Sequence, residues 1–405
     1  MKNVFQGLKI VLLNHNQIGQ GTYFRCYHFG KELVKLGHRV TLLTTSRKHL
    51  FNLKKTVDNG LEIIEFPDFL RGKLRNGFCP WNTLRRIFFL HNKEFDIIHA
   101  FDSRPVVIFP ALFLKYKGKV PLIMDWPDWW GHGGTIKERS GHLYTKTVGR
   151  IEIFFEEYFR KYADRATTIC TALRKRLEGL GYPANKITTI HQSCDFEKIK
   201  PLAIEYCRKN LSLSFNDCII GHLGTLFKND AQLLFDTMNY VRSHNRNIKL
   251  LLIGRHKLRL KDFECDPELL IETGEISDSE ISYYLGASDI LVLPMRNTIA
   301  NNGRWPSKIN DYMAAAKPIV STPISDIKTI INDRGIGVLA EDNSVDFGKA
   351  IMRLLDDKKR RKYLGERARK YAENHLNWKI LTKRLEDVYR SGLGLQLERI
   401  KEKTK

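Results

Sequence analysis

One stretch of the chain, Gly303 to Val320, joins a cation, a carboxylate and a predicted helix start in a spacing that suits anion binding. Pro306 is favoured at the first position of a helix, so the next two amides, of Ser307 and Lys308, are expected to be unpaired donors at a positive helix end. Such an end attracts anions. Apolar residues recur every three to four positions from 309 to 316, which predicts a buried face and leaves Lys308 and Asp311 on a different one. The stretch therefore predicts an anion site with a lysine and an aspartate free to contact a ligand.

A second segment, Asp125 to Gly134, packs two carboxylates, three tryptophans, three glycines and His132 into ten residues. It follows a predicted buried strand, at the sheet edge where open α/β folds bind ligands. Aromatic faces suit sugar rings or lipid, and Asp125 or Asp128 could take a proton from an acceptor hydroxyl. The alternative interpretation is a structural tryptophan-rich turn with a capping aspartate.

A glycine-rich turn, Gly19-Gln-Gly21-Thr22, follows the first predicted strand and opens the first predicted helix, with Arg25 one turn further along. Such a turn can cradle a phosphate or bring the backbone close to a sugar. The dinucleotide-binding fingerprint is incomplete, because Phe24 stands where its third glycine would be. A tight turn that needs glycine only for its geometry explains the same residues.

Composition indicates a globular protein with a strongly basic surface. The 405 residues suit two domains, and 67 Lys and Arg against 45 Asp and Glu give a formal net charge of +22. Such a surface attracts nucleic acid, anionic lipid or phosphorylated substrates, and a general basic bias without a partner is the alternative. No nucleic-acid-binding motif accompanies the charge, so nucleic acid is not expected as a partner.

Two further features bear on the compartment. No apolar run approaches the roughly 18 residues of a membrane span. The seven cysteines are scattered and form no Cys-x-x-Cys pair, which favours a reducing compartment. We therefore expect a cytoplasmic protein.

Short apolar runs alternate with helical stretches along the whole chain, as in parallel sheets covered by helices on both faces. Seven strands are predicted before residue 195 and six after it. The pattern predicts two Rossmann-like domains in tandem, joined near His191 to Pro201.

The segment around Asp311-Tyr312-Met313-Ala314 resembles the sugar-donor half of retaining GT-B glycosyltransferases of family 4 and related group 1 enzymes. The resemblance implies an α/β GT-B fold, with two Rossmann-like doubly wound domains facing across a cleft. It places an acceptor-side domain at 1–195, a nucleotide-sugar domain at 196–375, and a helix at 376–405 that crosses back to the first domain. Many relatives carry two glutamates eight positions apart; Asp311 aligns with the second and Gly303 with the first, which this chain lacks.

The resemblance also implies roles for the donor side. Arg304, Lys308 and Lys228 would hold the diphosphate, with the Ser307 amide beside them, and Asp311 would bind the ribose. Arg255 follows another strand and would reach the base or a phosphate; a surface arginine is the alternative. No metal and no cofactor are expected, because cations and helix ends can neutralise the leaving diphosphate.

The resemblance implies that the Asp125 to Gly134 segment and the Gly19 to Thr22 turn lie near the reacting sugar and the acceptor. The first hypothesis is a retaining glycosyltransferase that moves a sugar from a nucleotide-diphosphate-sugar to a glycan or lipid-linked acceptor, as in cell-envelope glycan synthesis. The second is a GT-B-shaped nucleotide-sugar or glycan binding protein without turnover, suggested by Gly303. A Rossmann oxidoreductase is disfavoured by the incomplete glycine motif.

Peripheral attachment to the inner face of an anionic membrane is a further hypothesis. Basic and aromatic residues adjoin in Arg85-Arg86-Ile-Phe-Phe-Leu90, and Phe154-Phe155 lies in another predicted helix. Such residues suit interfacial attachment, whereas their helical spacing also permits burial in the core.

Overall fold

The computed structural model describes residues 7–70, 75–139, 144, 146–244, 247–256 and 258–403. The chain divides into two compact units. The first runs to His191 and includes the residues from Trp378 onward, and the second is Gln192–Asn377.

The first unit is built on an eight-stranded sheet in the order β3-β4-β2-β1-β5-β6-β7-β8. Its strands are β1 (Lys9–Gln17), β2 (Arg39–Thr45), β3 (Lys54–Asp58), β4 (Leu61–Phe66), β5 (Ile97–Phe101), β6 (Leu122–Trp126), β7 (Arg165–Thr168) and β8 (Ile187–Thr189). Its helices before residue 192 are α1 (Tyr23–Lys35), α2 (Pro80–His91), α3 (Pro105–Gly118), α4 (Thr135–Arg139), α5 (Val148–Tyr158) and α6 (Thr171–Gly179). The central strands are buried on both faces, which explains their continuous apolar runs.

The strand β3 is absent from the sequence prediction. It pairs antiparallel with β4, whereas the other neighbours in this sheet are parallel. Four of its five residues are polar and most are exposed, so apolar patterning does not reveal it. Asn59 and Gly60 both have positive φ, 50° and 82°, as a tight hairpin requires. The Asn59-Gly60 pair is therefore the feature of the sequence that indicates a hairpin here.

The second unit is built on a six-stranded parallel sheet in the order β11-β10-β9-β12-β13-β14. Its strands are β9 (Cys218–Leu223), β10 (Ile248–Ile253), β11 (Leu270–Glu272), β12 (Ile290–Leu293), β13 (Ile319–Ser321) and β14 (Val338–Leu339). Its helices are α7 (Ile204–Asn210), α8 (Lys228–Arg242), α9 (Ile281–Ala287), α10 (Ile299–Asn302), α11 (Lys308–Ala314), α12 (Ser325–Arg334), α13 (Ser344–Asp356) and α14 (Lys358–His375). The strand order reverses between β9 and β12, and such a switch point is where open α/β sheets bind ligands.

The last helix, α15 (Trp378–Lys403), packs against the first sheet as part of the first unit. Trp378 stacks on His28 with ring centroids 4.9 Å apart, and Tyr389 lies 2.8 Å from His99 Nδ1 through its hydroxyl oxygen. Both aromatic side chains join the core of that unit. No helix within the described ranges combines the length and the apolar character needed to cross a membrane.

Helix α11 begins at Lys308, two residues later than expected, because Pro306 lies in a preceding turn whose carbonyl accepts from the Ile309 amide. Its C-terminus has the Schellman pattern: the Ala316 amide donates to the Met313 carbonyl and the next amide to the Tyr312 carbonyl. The residue after the cap, Ala316, adopts the left-handed conformation with φ 55°. Glycine normally occupies that position, because a Cβ is strained there.

Ala316→Gly should therefore stabilise the protein by about 0.5–1 kcal/mol, the relief of left-handed strain less the entropy of a glycine in the unfolded chain. Urea unfolding measures the difference. The matched control is Ala315→Gly, one residue earlier with φ −75°, which should be neutral or destabilising. Equal effects of the two substitutions would contradict the assignment.

Candidate functional site

Asp125 lies at the end of β6 but is fully buried. Its two carboxylate oxygens receive hydrogen bonds from Arg25 Nε at 2.9 Å and Arg25 Nη2 at 3.0 Å. Thr167 Oγ1 donates to the same carboxylate at 2.5 Å. This corrects the expectation that Asp125 is open to an acceptor hydroxyl, and leaves Asp128 as the aspartate of this segment that lines a cleft.

Arg25 is also a structural residue rather than a surface cation. It is 1% exposed, and it donates to the Ile190 carbonyl at 2.8 Å and the His191 carbonyl at 2.9 Å. The side chain therefore joins α1, β6 and the segment that follows β8. Its bidentate geometry with a carboxylate is the arrangement that offsets the cost of burying both charges.

The turn before α1 is fixed by side-chain hydrogen bonds. Thr22 Oγ1 lies 2.7 Å from Asn14 Oδ1, and the Thr22 amide donates to Asn16 Oδ1 at 2.9 Å. Gly19 and Gly21 have φ of 75° and 50°, and a Cβ on Gly21 would come within 2.9 Å of the Asn16 side chain. The glycines are thus required by geometry, and Gly21 and Thr22 line the cleft that Asp128 also lines.

This cleft of the first unit has a volume of about 290 Å³ and lies at the carboxyl ends of β1, β5 and β6. Trp130 lines it, with the ring nitrogen donating to Glu152 Oε2 at 2.7 Å. Glu156 lies beside it, accepting from the Trp126 ring nitrogen and the Trp130 and Gly131 amides at 2.6–3.0 Å. Burial raises the pKa of Glu156 to about 7 despite these donors. Aromatic rings and carboxylates together are suited to a polyhydroxylated ligand.

Sequence reasoning missed an imidazole and carboxylate pair in the same cleft. His15 Nδ1 lies 3.1 Å from Asp102 Oδ2, and Arg104 Nε lies 3.3 Å from the same oxygen. Burial and the nearby Arg104 lower the pKa of His15 to about 3, so the imidazole is neutral near pH 7. His15 lies near the end of β1 and Asp102 follows β5 directly. Their positions at the carboxyl ends of strands are the feature of the sequence that could have identified them as candidate site residues.

His132 does not join this cleft. It is exposed, has φ 42°, and lies 3.5 Å from Glu157 through Nε2 and Oε2. It lines a separate groove of about 700 Å³ beside α5. The structure therefore separates His132 from Asp128, although only three residues lie between them in sequence.

In the second unit, Lys308 meets the end of β9. Its Nζ lies 2.9 Å from His222 Nε2 and 2.9 Å from the Thr225 carbonyl oxygen. Tyr312, one turn later, fixes the helix: its hydroxyl accepts from the Leu223 amide at 2.9 Å and donates to the Val292 carbonyl at 3.3 Å. Lys308 is thereby held at the switch point between β9 and β12. His222, a buried residue inside an apolar strand, was missed by sequence reasoning.

The backbone beside Lys308 is open to a ligand. Gly224 and Gly254 follow β9 and β10, have φ of 72° and 84°, and approach each other closely. Nothing lies within 4 Å of where a Cβ on Gly224 would be. Such exposed glycine backbone allows phosphate groups to come close to main-chain amides.

The other residues predicted to bind the donor do not all lie beside Lys308. Arg304 donates from Nε to the Ala300 carbonyl at 2.9 Å and lies over the Phe227 ring at 4.9 Å. Ser307 stands at the N-cap position of α11, and its hydroxyl receives a hydrogen bond from Gln192 Nε2 at 3.0 Å. Asp311 is partly buried on α11, and two expected cations, Lys228 and Arg255, are exposed at the start of α8 and after Gly254. The structure thus gathers Lys308 and Arg304 on neighbouring backbone and leaves Lys228 and Arg255 at the surface.

Two ionisable groups on α11, Lys308 and Asp311, have pKa values far from their ordinary ones. Burial, with a smaller contribution from Arg304, lowers the pKa of Lys308 to about 7. Burial and Asp278 raise the pKa of Asp311 to about 7. Burial and the adjacent Lys308 hold the pKa of His222 well below its usual range. Groups whose charged forms are disfavoured in the free protein cluster at functional sites.

No group of three histidine, cysteine, aspartate or glutamate side chains is placed to hold a metal ion within the described part of the chain.

Two family models match the chain: Glycosyltransferase Family 4 over residues 19–198 and Glycosyl transferases group 1 over residues 217–357. A curated relative, described as an uncharacterized glycosyltransferase of Methanocaldococcus jannaschii, is 22% identical over 324 residues, covering 75% of this chain and 77% of its own. The chain is a glycosyltransferase with the GT-B fold. The predictions of fold class and of enzyme class are confirmed.

Solved structures show the same fold. Sucrose-phosphate synthase from Thermosynechococcus elongatus superposes with a TM-score of 0.73 at 14% identity, covering 94% of this chain and 98% of that one. HepE from Anabaena, in complex with UDP-glucose, superposes with a TM-score of 0.68 at 16% identity, covering 95% of this chain and 100% of the HepE chain.

Asp125→Asn should destabilise the protein by about 3–5 kcal/mol, because it leaves the Arg25 guanidinium buried without its countercharge. Urea unfolding of the full chain measures the loss. Asp128→Asn, in the same segment and partly exposed, should cost less than about 1 kcal/mol. An Asp125→Asn protein as stable as the parent would contradict the structural role.

Proposed function

We propose that the protein is a retaining glycosyltransferase in which the second unit binds a nucleotide-diphosphate-sugar and the first unit binds a glycan or lipid-linked acceptor. The observation that carries the proposal is the position of Lys308. Its ammonium group is held at a switch point of a parallel sheet by two neutral acceptors, beside glycine backbone that a diphosphate can approach. An HepE structure contains UDP-glucose, which supports a nucleotide-sugar as the donor class.

The diphosphate would lie against Lys308 and Arg304. As the sugar leaves, charge accumulates on the diphosphate, and fixed cations stabilise that charge without reorganising. The Lys308 pKa near 7 means that the anionic ligand itself would draw the proton onto the amine. Asp311 would bind the ribose hydroxyls from the same helix, with Lys228 and Arg255 at the periphery.

Gly303, which replaces the first family glutamate, is the C-cap of α10. The role of that glutamate near the sugar would fall to other groups, and the segment from Arg304 to Ser307 follows directly on the chain. The cleft of the first unit would hold the acceptor, with Trp130 against a sugar ring and Asp128 within the same cleft. Retention of configuration is tested by NMR of the product's anomeric proton when donor and acceptor are known.

Attachment to an anionic membrane surface is also part of the proposal. In the segment Arg85 to Leu90, the expectation for Arg86 is corrected: Arg86 is buried, donating to Asn82 Oδ1 at 2.7 Å and to the Asn14 carbonyl at 2.9 Å. Phe88 on the same helix is 70% exposed, and Phe154 on α5 is about half exposed. The net charge of +22 favours an anionic surface.

Lys308→Met and Arg304→Met should each weaken nucleotide-diphosphate binding by about 1.5–3 kcal/mol, the magnitude of a charged hydrogen bond. A thermal-shift screen of ADP, GDP, UDP and CDP identifies the nucleotide, and titration calorimetry then measures the affinity. Lys328→Met, an exposed lysine on α12, is the matched control and should bind as the parent does. Parental affinity in both site variants would refute the diphosphate clamp.

The pKa values of Lys308 and Asp311, both near 7, predict that nucleotide affinity depends on pH in opposite directions in two variants. In Asp311→Asn, nucleotide affinity should fall as pH rises above about 7, because Lys308 loses the proton that attracts the diphosphate. In Lys308→Met, affinity should rise over the same range, because the Asp311 carboxyl ionises and becomes a better acceptor for ribose hydroxyls.

Calorimetry at several pH values measures both profiles, and the ionisation of the nucleotide itself cancels in the comparison. Identical pH profiles in the two variants would show that these groups do not contact the nucleotide.

A further inference from the structure

The outer face of α5 is unusually apolar for a surface. Val148, Ile151, Phe154 and Tyr158 recur every three to four positions, and each is between 41% and 52% exposed. This spacing puts them in one stripe along the helix. An amphipathic helix normally turns such a stripe toward a core, so a stripe facing solvent indicates a binding surface.

The stripe continues onto α3 through ring contacts. Phe154 stacks on Tyr158 with centroids 4.7 Å apart and meets the edge of Phe155 at 5.7 Å. Phe155 in turn contacts Phe109 of α3 at 5.8 Å, and Phe109 is 39% exposed. We call Phe109, Val148, Ile151, Phe154 and Tyr158 the aromatic patch. It is a contiguous surface, not a set of scattered side chains.

The unpaired exposed charges around the aromatic patch are positive, because each acid of α5 is either buried or, like Glu157 in the adjoining groove, paired with a cation. Glu152 and Glu156 are buried on the inner side of the helix, and Glu157 is bound by Arg176 at 2.6 Å. Arg150 is exposed, and Lys161 Nζ lies 3.6 Å above the ring of Tyr158. An apolar surface bordered by cations is complementary to an anionic bilayer.

A groove beside the aromatic patch adds room for a lipid head group. Its volume is about 700 Å³, and Ile153, Leu177 and Leu180 contribute apolar walls. Lys161 and Lys186 also line it. Apolar walls with lysines at hand suit a phosphate group attached to hydrocarbon.

We propose that the aromatic patch is the surface by which this protein lies on an anionic phospholipid bilayer, with Arg150, Lys161 and Lys186 contacting lipid phosphates. The inference deepens the proposed function, on which it rests, by naming the surface that meets the membrane. The inner side of α5 carries Glu152 and Glu156 to the cleft of the first unit. One helix thus borders both the bilayer and the cleft, so that a lipid-linked acceptor would reach the cleft without leaving the membrane.

Co-sedimentation with vesicles tests the proposal. The full chain should bind phosphatidylcholine vesicles that contain about 30 mol% phosphatidylglycerol at about 0.05 M salt, and should be released at about 0.5 M salt. Phe154→Ser combined with Tyr158→Ser should weaken binding about tenfold or more through lost apolar burial. Arg150→Gln combined with Lys161→Gln should weaken it about 25-fold, at about fivefold per charge.

The second unit supplies matched controls. Phe215 is 60% exposed, and Lys358 and Lys359 are exposed on α14. Phe215→Ser, and Lys358→Gln combined with Lys359→Gln, should change vesicle binding less than about twofold. Thermal unfolding confirms that each variant is folded, and Ile151→Ser replaces the aromatic pair if that variant does not fold.

A parent protein that stays in the supernatant with anionic vesicles at low salt would overturn the proposal. So would control variants that lose binding as much as the patch variants. Ultracentrifugation adds a third contrary outcome: a dimer that only the patch substitutions dissociate, with unchanged vesicle binding, would make the patch an interface between copies. Nucleotide-diphosphate affinity is measured separately and should be unchanged in patch variants, so failure of donor binding and failure of membrane binding are distinguished.

Discussion

The buried pair between Arg25 and Asp125 is the interaction on which the cleft at the sheet edge of the first unit depends. Removing both charges from water is costly, and the cost is offset by two short parallel hydrogen bonds, by Thr167, and by two carbonyls after β8. The pair fixes the start of α1 against the end of β6. The glycine turn before α1 and the tryptophan segment after β6 leave the sheet from those two points, so the geometry of the cleft follows from the pair.

The second unit holds a partly buried cation, Lys308, without a carboxylate partner. Lys308 forms no salt bridge within the described ranges; its amine is held by an imidazole nitrogen and a carbonyl oxygen. Neutral acceptors position the amine but offset only part of its desolvation, which is why its pKa falls to about 7. An arriving diphosphate would supply the missing countercharge. In the proposed function, the diphosphate would give Lys308 the electrostatic stabilisation that Arg25 receives from Asp125.

The fold could be predicted from the sequence largely because buried parallel strands are rich in apolar residues, as in Ile290–Leu293 and Leu61–Phe66, whose bounds agree with the structure. The polar strand β3 escaped that signal. Candidate site residues near strand ends, such as Asp128, could be proposed from position alone. The burial of a particular side chain could not be predicted in this way. Whether Asp125 is exposed depends on Arg25, which lies 100 residues earlier in the chain.

The same limit applies to other site residues. His222 looks like part of an apolar strand until Lys308 is placed against it, 86 residues later. His132 shares a ten-residue segment with Asp128, but its positive φ turns it to another groove. Local pattern thus identifies the segments that form a site, whereas contacts between distant residues decide which side chains within them are available to a ligand.

A crystal structure of the full chain with the nucleotide diphosphate that binds most tightly tests the central claim most directly. The account predicts a phosphate oxygen about 3 Å from Lys308 Nζ, next to the backbone of Gly224, with the ribose hydroxyls on Asp311. A diphosphate bound elsewhere, with Lys308 still held only by His222 and Thr225, would contradict it.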